Sequence, residues 1–247
     1  MQVGFEIEIE DVVDFPKTIP GINIENDGSL RNGMEFVSYI CPDTDFASML
    51  YEYLFKKVKG TYSERCGIHF HMDFVNKSVE EIIDFVSRYL TIEKTLFKKY
   101  SSVLRENNSF CNLLLNSPSE LDIIRTVNYE KNTNTFSNFS KYTALNLKPL
   151  YYQSTIEFRA LAGGTSPDLF SEILFIFEEL YNGNTPNLGT ISEEDRVEAE
   201  SVITLLSTEV VEDTSGLGEY FEKHFCTNET VLTKETIENY LRGQQDV

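Results

Sequence analysis

Gly67-Ile68-His69-Phe70-His71-Met72-Asp73-Phe74 alternates between two chemistries at every position. Successive side chains of a strand point to opposite faces, so Ile68, Phe70, Met72 and Phe74 share one face and His69, His71 and Asp73 the other. The same period runs through Val3–Glu10, where Phe5, Ile7 and Ile9 oppose Glu6, Glu8 and Glu10. It returns in Met34–Ile40, which carries Glu35, and in Ser154–Leu161, where Ile156, Phe158 and Ala160 oppose Glu157 and Arg159. A turn at Asn26-Asp27-Gly28-Ser29 precedes the second of these segments, and another strand is predicted over Tyr142–Leu147. Helical periods fill the intervals. One covers roughly 43–59 with Phe46, Leu50, Tyr53 and Leu54 on one face. A longer one begins at Ser78, whose capping box is completed by Glu81, and carries Val79, Ile82, Ile83, Val86, Tyr89 and Leu90. Two more start at Ser117-Pro118 and Ser166-Pro167, each with proline in the first turn. Asn132–Ser140 reads as a polar loop, and Gly163-Gly164 ends the last strand.

The 247 residues suit one large domain, or a domain with an appendage. A hydrophobic content of 41% and an aromatic content of 13% supply a packed core. No apolar run reaches the ~20 residues that span a bilayer, and Met1 leads almost at once into a strand, so neither a membrane span nor a signal peptide is expected. Cys41, Cys66, Cys111 and Cys226 lie far apart and read as reduced thiols of a cytoplasmic protein. The formal net charge of −19 argues against a nucleic-acid partner, because a phosphate backbone demands a basic surface. Beyond Tyr181 the texture changes: Asn182–Gly189 reads as a linker, an acidic helix follows over roughly 192–208, and a short helix near 233–242 ends the pattern.

One polar face on a half-exposed sheet is ordinary, and for any single strand here it is the simpler reading. Solvated faces, however, mix lysine, threonine, serine and glutamine. These four segments carry Glu, His and Asp, the oxygen and imidazole donors of hard and borderline divalent cations. Carboxylates brought together raise one another's pKa unless a cation neutralises them, so a shared face would call for Mg2+ or Mn2+. Arg159, on the same strand face as Glu157, offers a guanidinium that can grip phosphate oxygens. Metal donors with an arginine on a strand platform are equipment for phosphoryl transfer. No GxxxxGK[ST] loop, GxGxxG turn, HExxH helix or GxSxG elbow occurs, and Gly163-Gly164-Thr165 reads better as a turn than as an anion seat.

Gly4-Phe5-Glu6-Ile7-Glu8, Asp27-Gly28-Ser29 with Glu35-Phe36-Val37-Ser38, Cys66-Gly67-Ile68-His69-Phe70-His71, Tyr142 with Leu145-Asn146-Leu147, and Thr155-Ile156-Glu157-Phe158-Arg159 occur in that order. Together they resemble the amidoligase family of the glutamine synthetase and glutamate–cysteine ligase superfamily, over roughly residues 3–165. The resemblance implies an α+β fold, a curved and mainly antiparallel sheet forming an active-site funnel with helices on its outer side. It makes 1–182 the catalytic domain and 183–247 an acidic helical extension packed on or beside it. It implies ATP with Mg2+ or Mn2+, and amide formation between a small-molecule or peptide carboxylate and an amine through an acyl phosphate. By the same resemblance Glu6, Glu8, Glu35, His69 and Glu157 are metal ligands, and Asp27 an acidic group at the metal or amine site. His71 and Arg105 are phosphate or substrate contacts, Arg159 binds the γ-phosphate, and Asn146 and Tyr142 are weaker substrate contacts. Glu10 and Asp73, at their strand ends, are expected to be solvated, and His224 to be structural or exposed.

Two other readings use the same residues. A guanidino-kinase-like phosphotransferase would release a stable phosphorylated product. A metal-dependent hydrolase or oxygenase would use His69, His71 and Glu157, leaving Glu6 and Glu8 without a role.

Overall fold

The structure, a computed structural model, describes residues 1–105 and 108–206. The chain opens with three strands, β1 (Val3–Asp14), β2 (Ile22–Asp27) and β3 (Gly33–Ser38), followed by helix α1 (Thr44–Lys57). Strands β4 (Lys59–Thr61) and β5 (Gly67–Asp73) precede helices α2 (Val79–Lys99) and α3 (Pro118–Glu130). Then come β6 (Leu145–Asn146), β7 (Thr155–Ala162), α4 (Pro167–Tyr181) and α5 (Glu193–Leu206). The strands form one seven-stranded sheet in the order β2-β3-β1-β5-β7-β6, with β4 on the outer half of β1. Every strand pairing is antiparallel. The fold is therefore α+β with a mainly antiparallel open sheet.

Alternation in the strands decides which side is covered. Phe5, Ile7 and Ile9 of β1, Phe36 of β3, Ile68, Phe70 and Met72 of β5, and Ile156, Phe158 and Ala160 of β7 are all buried. They pack on α1, α2 and α4 through rings. Tyr51 of α1 stacks on Phe170 of α4 at 4.1 Å, and both meet Phe5 edge-on. Phe177 of α4 lies 5.0 Å from Phe70 and 4.5 Å from Phe158. Burial of each such ring contributes ~1.5–3 kcal/mol, so this seam sets the position of three strands at once.

The helix ends follow their local chemistry. Asp43 caps α1 by accepting from Phe46 N at 2.8 Å, and Ser78 and Glu81 form the expected capping box on α2. Ser117 does not cap α3: its hydroxyl donates to Leu113 O at 2.8 Å instead. Glu93, within α2, is fully buried and accepts from Leu114 N at 2.7 Å, Leu115 N at 2.9 Å and the Tyr89 hydroxyl at 2.9 Å. Beside it α5 packs on α2, with Lys94 facing Asp195 and Glu198.

Several expectations need correction. The strand foreseen over Tyr142–Leu147 shrinks to Leu145–Asn146, because the Thr143 hydroxyl bonds Leu145 O at 2.9 Å and Pro149 lies in the 3-10 turn Lys148–Tyr151 that follows. Asn132–Ser140 contains a 3-10 helix, Thr133–Asn138, started by Asn132 accepting from Asn134 N at 3.0 Å. Strands β2 and β4 were not foreseen. Glu10 is 4% exposed rather than solvated, and accepts from Arg31 N at 3.0 Å. Gly163 and Gly164 adjoin the Tyr62 ring: an added Cβ would meet it at 2.8 and 2.9 Å, and Gly164 also has φ +76. Cys41, Cys66 and Cys111 are free and buried. His224, Cys226 and the helix near 233–242 lie outside the described residues. Among those described, no helix is long and apolar enough to cross a membrane.

Candidate active site

The face of the sheet opposite the helices is built by register. Glu6 pairs with Val37 on one side and His69 on the other, and Glu8 with Glu35, which in turn pairs with Glu25. One row along, Gly4, His71, Glu157 and Asn146 lie across four strands. Residues paired across antiparallel strands share a face, so the ionisable groups of β1, β3, β5 and β7 necessarily meet.

Their distances are short. His69 Nδ1 lies 3.3 Å from Glu6 Oε2 and 3.4 Å from Glu157 Oε1. His71 Nε2 lies 3.3 Å from Glu6 Oε1 and 4.0 Å from Glu157 Oε1, while its Nδ1 is 3.1 Å from Thr155 Oγ1. Arg159 Nη1 donates to Glu157 Oε1 at 2.7 Å, and Asn146 Nδ2 donates to Glu157 Oε2 at 2.6 Å. Glu8 Oε2 accepts from Gly67 N at 2.6 Å. Arg105 arrives from the segment after α2, anchored by its amide to Ala160 O at 2.8 Å, and brings Nη2 to 3.4 Å from His69 Nε2. This approach requires Gly67, because a Cβ there would stand 2.4 Å from Arg105 Nη2 and 2.8 Å from His69 Nε2.

Charge crowding shows in the ionisation. Burial, then the charges of Glu6 and Glu8, push the Glu35 carboxyl up to about 8. Burial works against the Glu6 carboxylate too, but hydrogen bonds and charge from His69 and His71 outweigh it and hold Glu6 far below the usual range. His71 is opposed by burial as well, yet the facing Glu6 and Glu157 raise it above an ordinary imidazole. Burial lowers Arg105.

The donor set fits a divalent cation. Ligand atoms of Glu6, His71 and Glu157 lie within 4.8 Å of one another. Donors ~2.1 Å from one ion stand up to ~4.2 Å apart, close to this spread. Among the described residues the buried Nε of Arg105 and that of Arg159 have no hydrogen-bond partner, and His71 Nε2 has only Glu6 Oε1 at 3.3 Å. Polar atoms left this way are costly unless a ligand engages them.

The structure thus brings Glu6, Glu8, Glu35, His69, His71, Glu157, Arg159, Arg105 and Asn146 together. Asp27 sits at the edge: its carboxylate accepts from Ser29 N at 2.7 Å and adds to the charge felt by Glu35. Tyr142 stands apart, 41% exposed with its ring 5.8 Å from Phe110. Gly67, Thr155 and Tyr152 were not foreseen. The Tyr152 phenol is raised first by burial and then by Glu157 and Glu6, which places it beside the cluster, but no periodicity marks it in the sequence. Two cavities flank the cluster along the strands. One of about 490 Å3 reaches Glu6, His71, Asp73 and Thr155, and one of about 440 Å3 lies at the opposite strand ends with Arg105, Cys66 and Ala162.

A search of curated proteins returns no match. Residues 22–167 of the 247 match the family described as "Putative amidoligase enzyme". The matched stretch runs from β2 to the first residue of α4 and holds Glu35, His69, His71, Arg105, Glu157 and Arg159; Glu6 and Glu8 precede it and join the site through the register of β1. The chain belongs to the amidoligase family, whose name denotes enzymes that form amide bonds.

Proposed function

We propose that this protein is an ATP-dependent carboxylate–amine ligase acting at a divalent-metal site. The observation that carries the reading is the convergence of four strand-borne carboxylates, two histidines and two arginines on one sheet face. Glu6, His71 and Glu157 would hold one Mg2+ or Mn2+, with Glu8 and Glu35 beside them for another. Such an ion supplies Lewis acidity and neutralises phosphate charge. The sheet would then form the wall of a funnel like that of glutamine synthetase.

An oxygen of the acid substrate attacks the γ-phosphorus of ATP. The new C–O–P bond forms as the bond to the β-phosphate oxygen breaks, releasing ADP and leaving an acyl phosphate. The amine nitrogen then attacks the acyl carbon, phosphate leaves, and the nitrogen loses a proton. Arg159, held by Glu157 at 2.7 Å with its Nε unengaged, is placed to grip the transferring group. Arg105 contributes a second cation beside His69.

The test is product analysis. ADP and phosphate should appear only with a suitable carboxylic acid, and hydroxylamine should trap the acyl phosphate as a hydroxamate. EDTA should abolish tight ATP binding. AMP and pyrophosphate would instead mean adenylation, a stable phosphorylated guanidine would mean a kinase, and either would overturn the ligase assignment.

A further inference from the structure

The two cavities that flank the cluster differ in charge. The one at the Cys66 end is lined by two arginines, Arg65 and Arg105, against one carboxylate, Glu64. At the other end Glu6, His71 and Asp73 supply the ionisable groups, and among the described residues no arginine or lysine lines the cavity. Its walls are otherwise apolar, from Val37, Ile40 and Val75, or neutral, from Gln2, Asn76 and Gln153. With Glu6 and His71 engaged by the metal ion of the ligase reading, Asp73 is the one charge left on this wall, and it would repel a carboxylate or phosphate at the far end of a bound ligand. An ammonium group at that end would be attracted by Asp73.

Asp73 is set for such a role. It lies on β5 two residues beyond His71, so the two side chains share a face ~7 Å apart along the strand. Its Oδ1 accepts from Val75 N at 2.9 Å, which fixes the carboxylate at the cavity wall. The span between the cluster and Asp73 is close to that of a four-carbon chain, and the volume of about 490 Å3 leaves room for a ligand larger than that.

We infer that the 490 Å3 cavity is the amine site, and that it selects an aliphatic amine carrying a second cationic group, which Asp73 binds while the reacting nitrogen sits beside Glu6 and His71. The acid and the nucleotide are left to the arginine-lined end. The inference rests on the ligase reading for the fate of the amine, whereas the choice of ligand charge stands on the cavity alone.

Three probes of similar length separate the alternatives: 1,4-diaminobutane, n-butylamine and 4-aminobutyrate, titrated into the full chain by calorimetry, with and without Mg2+ and a non-hydrolysable ATP analogue. Saturable binding of the diamine is expected, at least tenfold tighter than n-butylamine, with none for 4-aminobutyrate. Asp73→Asn preserves the acceptor for Val75 N and should erase the diamine's advantage without changing n-butylamine. Ile40→Arg, at a side chain 65% exposed, should oppose the diamine from a second position. Binding of 4-aminobutyrate as tightly as the diamine, no diamine binding, or an unchanged preference in Asp73→Asn would overturn the proposal. Hydroxamate formation without any cation preference would sink the amine site and leave the ligase reading intact. Diamine binding without acid-dependent ADP release would do the reverse.

Discussion

Glutamate is buried in two ways in this molecule. Glu93 in α2 is fully enclosed, and three donors of its own chain, Leu114 N, Leu115 N and the Tyr89 hydroxyl, occupy its oxygens. Burial pushes its carboxyl up to about 7 despite those bonds. Glu157 is 3% exposed, yet it belongs to a set that does not close on itself. Glu6, Glu35 and Glu157 face one another and two histidines, and among the described residues Arg105 Nε and Arg159 Nε lie buried without a partner. The structural carboxylate accepts from neutral donors of its own chain; the site carboxylates are crowded against one another, two histidines and an arginine. Burial alone does not distinguish them, but the charge of the neighbours does.

The sharpest test of that contrast is Arg159→Ala. Turnover should fall by ~10^3-fold, as for arginines in other phosphoryl-transfer sites, equivalent to ~4 kcal/mol at the barrier. Melting should change little, and a collapse of stability with intact turnover would merge the two classes. Glu93→Ala should do the opposite. Two buried amides and a phenol lose their acceptor, at a cost of about 3 kcal/mol in urea unfolding, while kcat of the remaining folded protein stays unchanged. A cost below ~1 kcal/mol would mean that the segment after Cys111 is held by other contacts.

Metal should stabilise only the open set. Mn2+ at a hundredfold excess over its Kd should raise the wild-type unfolding free energy by about 2.7 kcal/mol. Glu157→Gln should lose most of that increment and still fold, and an unchanged increment would remove Glu157 from the donor set. Gly67→Ala should have a smaller effect. Its methyl would displace Arg105 or His69, so KM for ATP should rise about tenfold, ~1.4 kcal/mol, with stability nearly preserved. Unchanged kinetics would show that Arg105 has no part in the site.

The smallest effect concerns pH. Glu35 titrates near 8 in the fold against an ordinary 4.5, so between those values the metal-free folded state binds the extra proton. Its contribution is therefore fully present below about 4.5 and is lost as pH rises through about 8. His71, raised above 6.5, slopes the same way. Glu6, depressed below 4.5, contributes at higher pH and is lost only in strong acid. Glu35→Gln should flatten the decline between pH 5 and 8 by about 2–4 °C in Tm, the shift that ~1 kcal/mol produces at this size. Identical melting curves would mean that Glu35 is not crowded by Glu6 and Glu8.

Much of the site was legible because strand parity is a property of the sequence alone. Val3–Glu10, Gly67–Phe74 and Ser154–Leu161 declare which residues oppose the core, so Glu6, Glu8, His69, His71, Glu157 and Arg159 could be selected before any fold was known. β2 escaped because Ile22–Asp27 is rich in Asn and Asp and borders the sheet edge, where β propensity is weak evidence. Glu10 looked solvated because nothing local announces the Arg31 amide that reaches it.

The sequence by itself determined which residues share a face, where α2 and α4 begin, and that the opposing faces carry metal donors instead of ordinary polar groups. Alternation and capping are short-range, set by backbone geometry within a few residues. Only the tertiary structure decided that β1 lies between β3 and β5, that Arg105 enters over Gly67, and that the cluster has an arginine-lined end and an acidic, apolar end. Those outcomes depend on strand order and on contacts between residues far apart in the chain, which the burial of Phe5, Phe70 and Phe158 against α1, α2 and α4 selects globally.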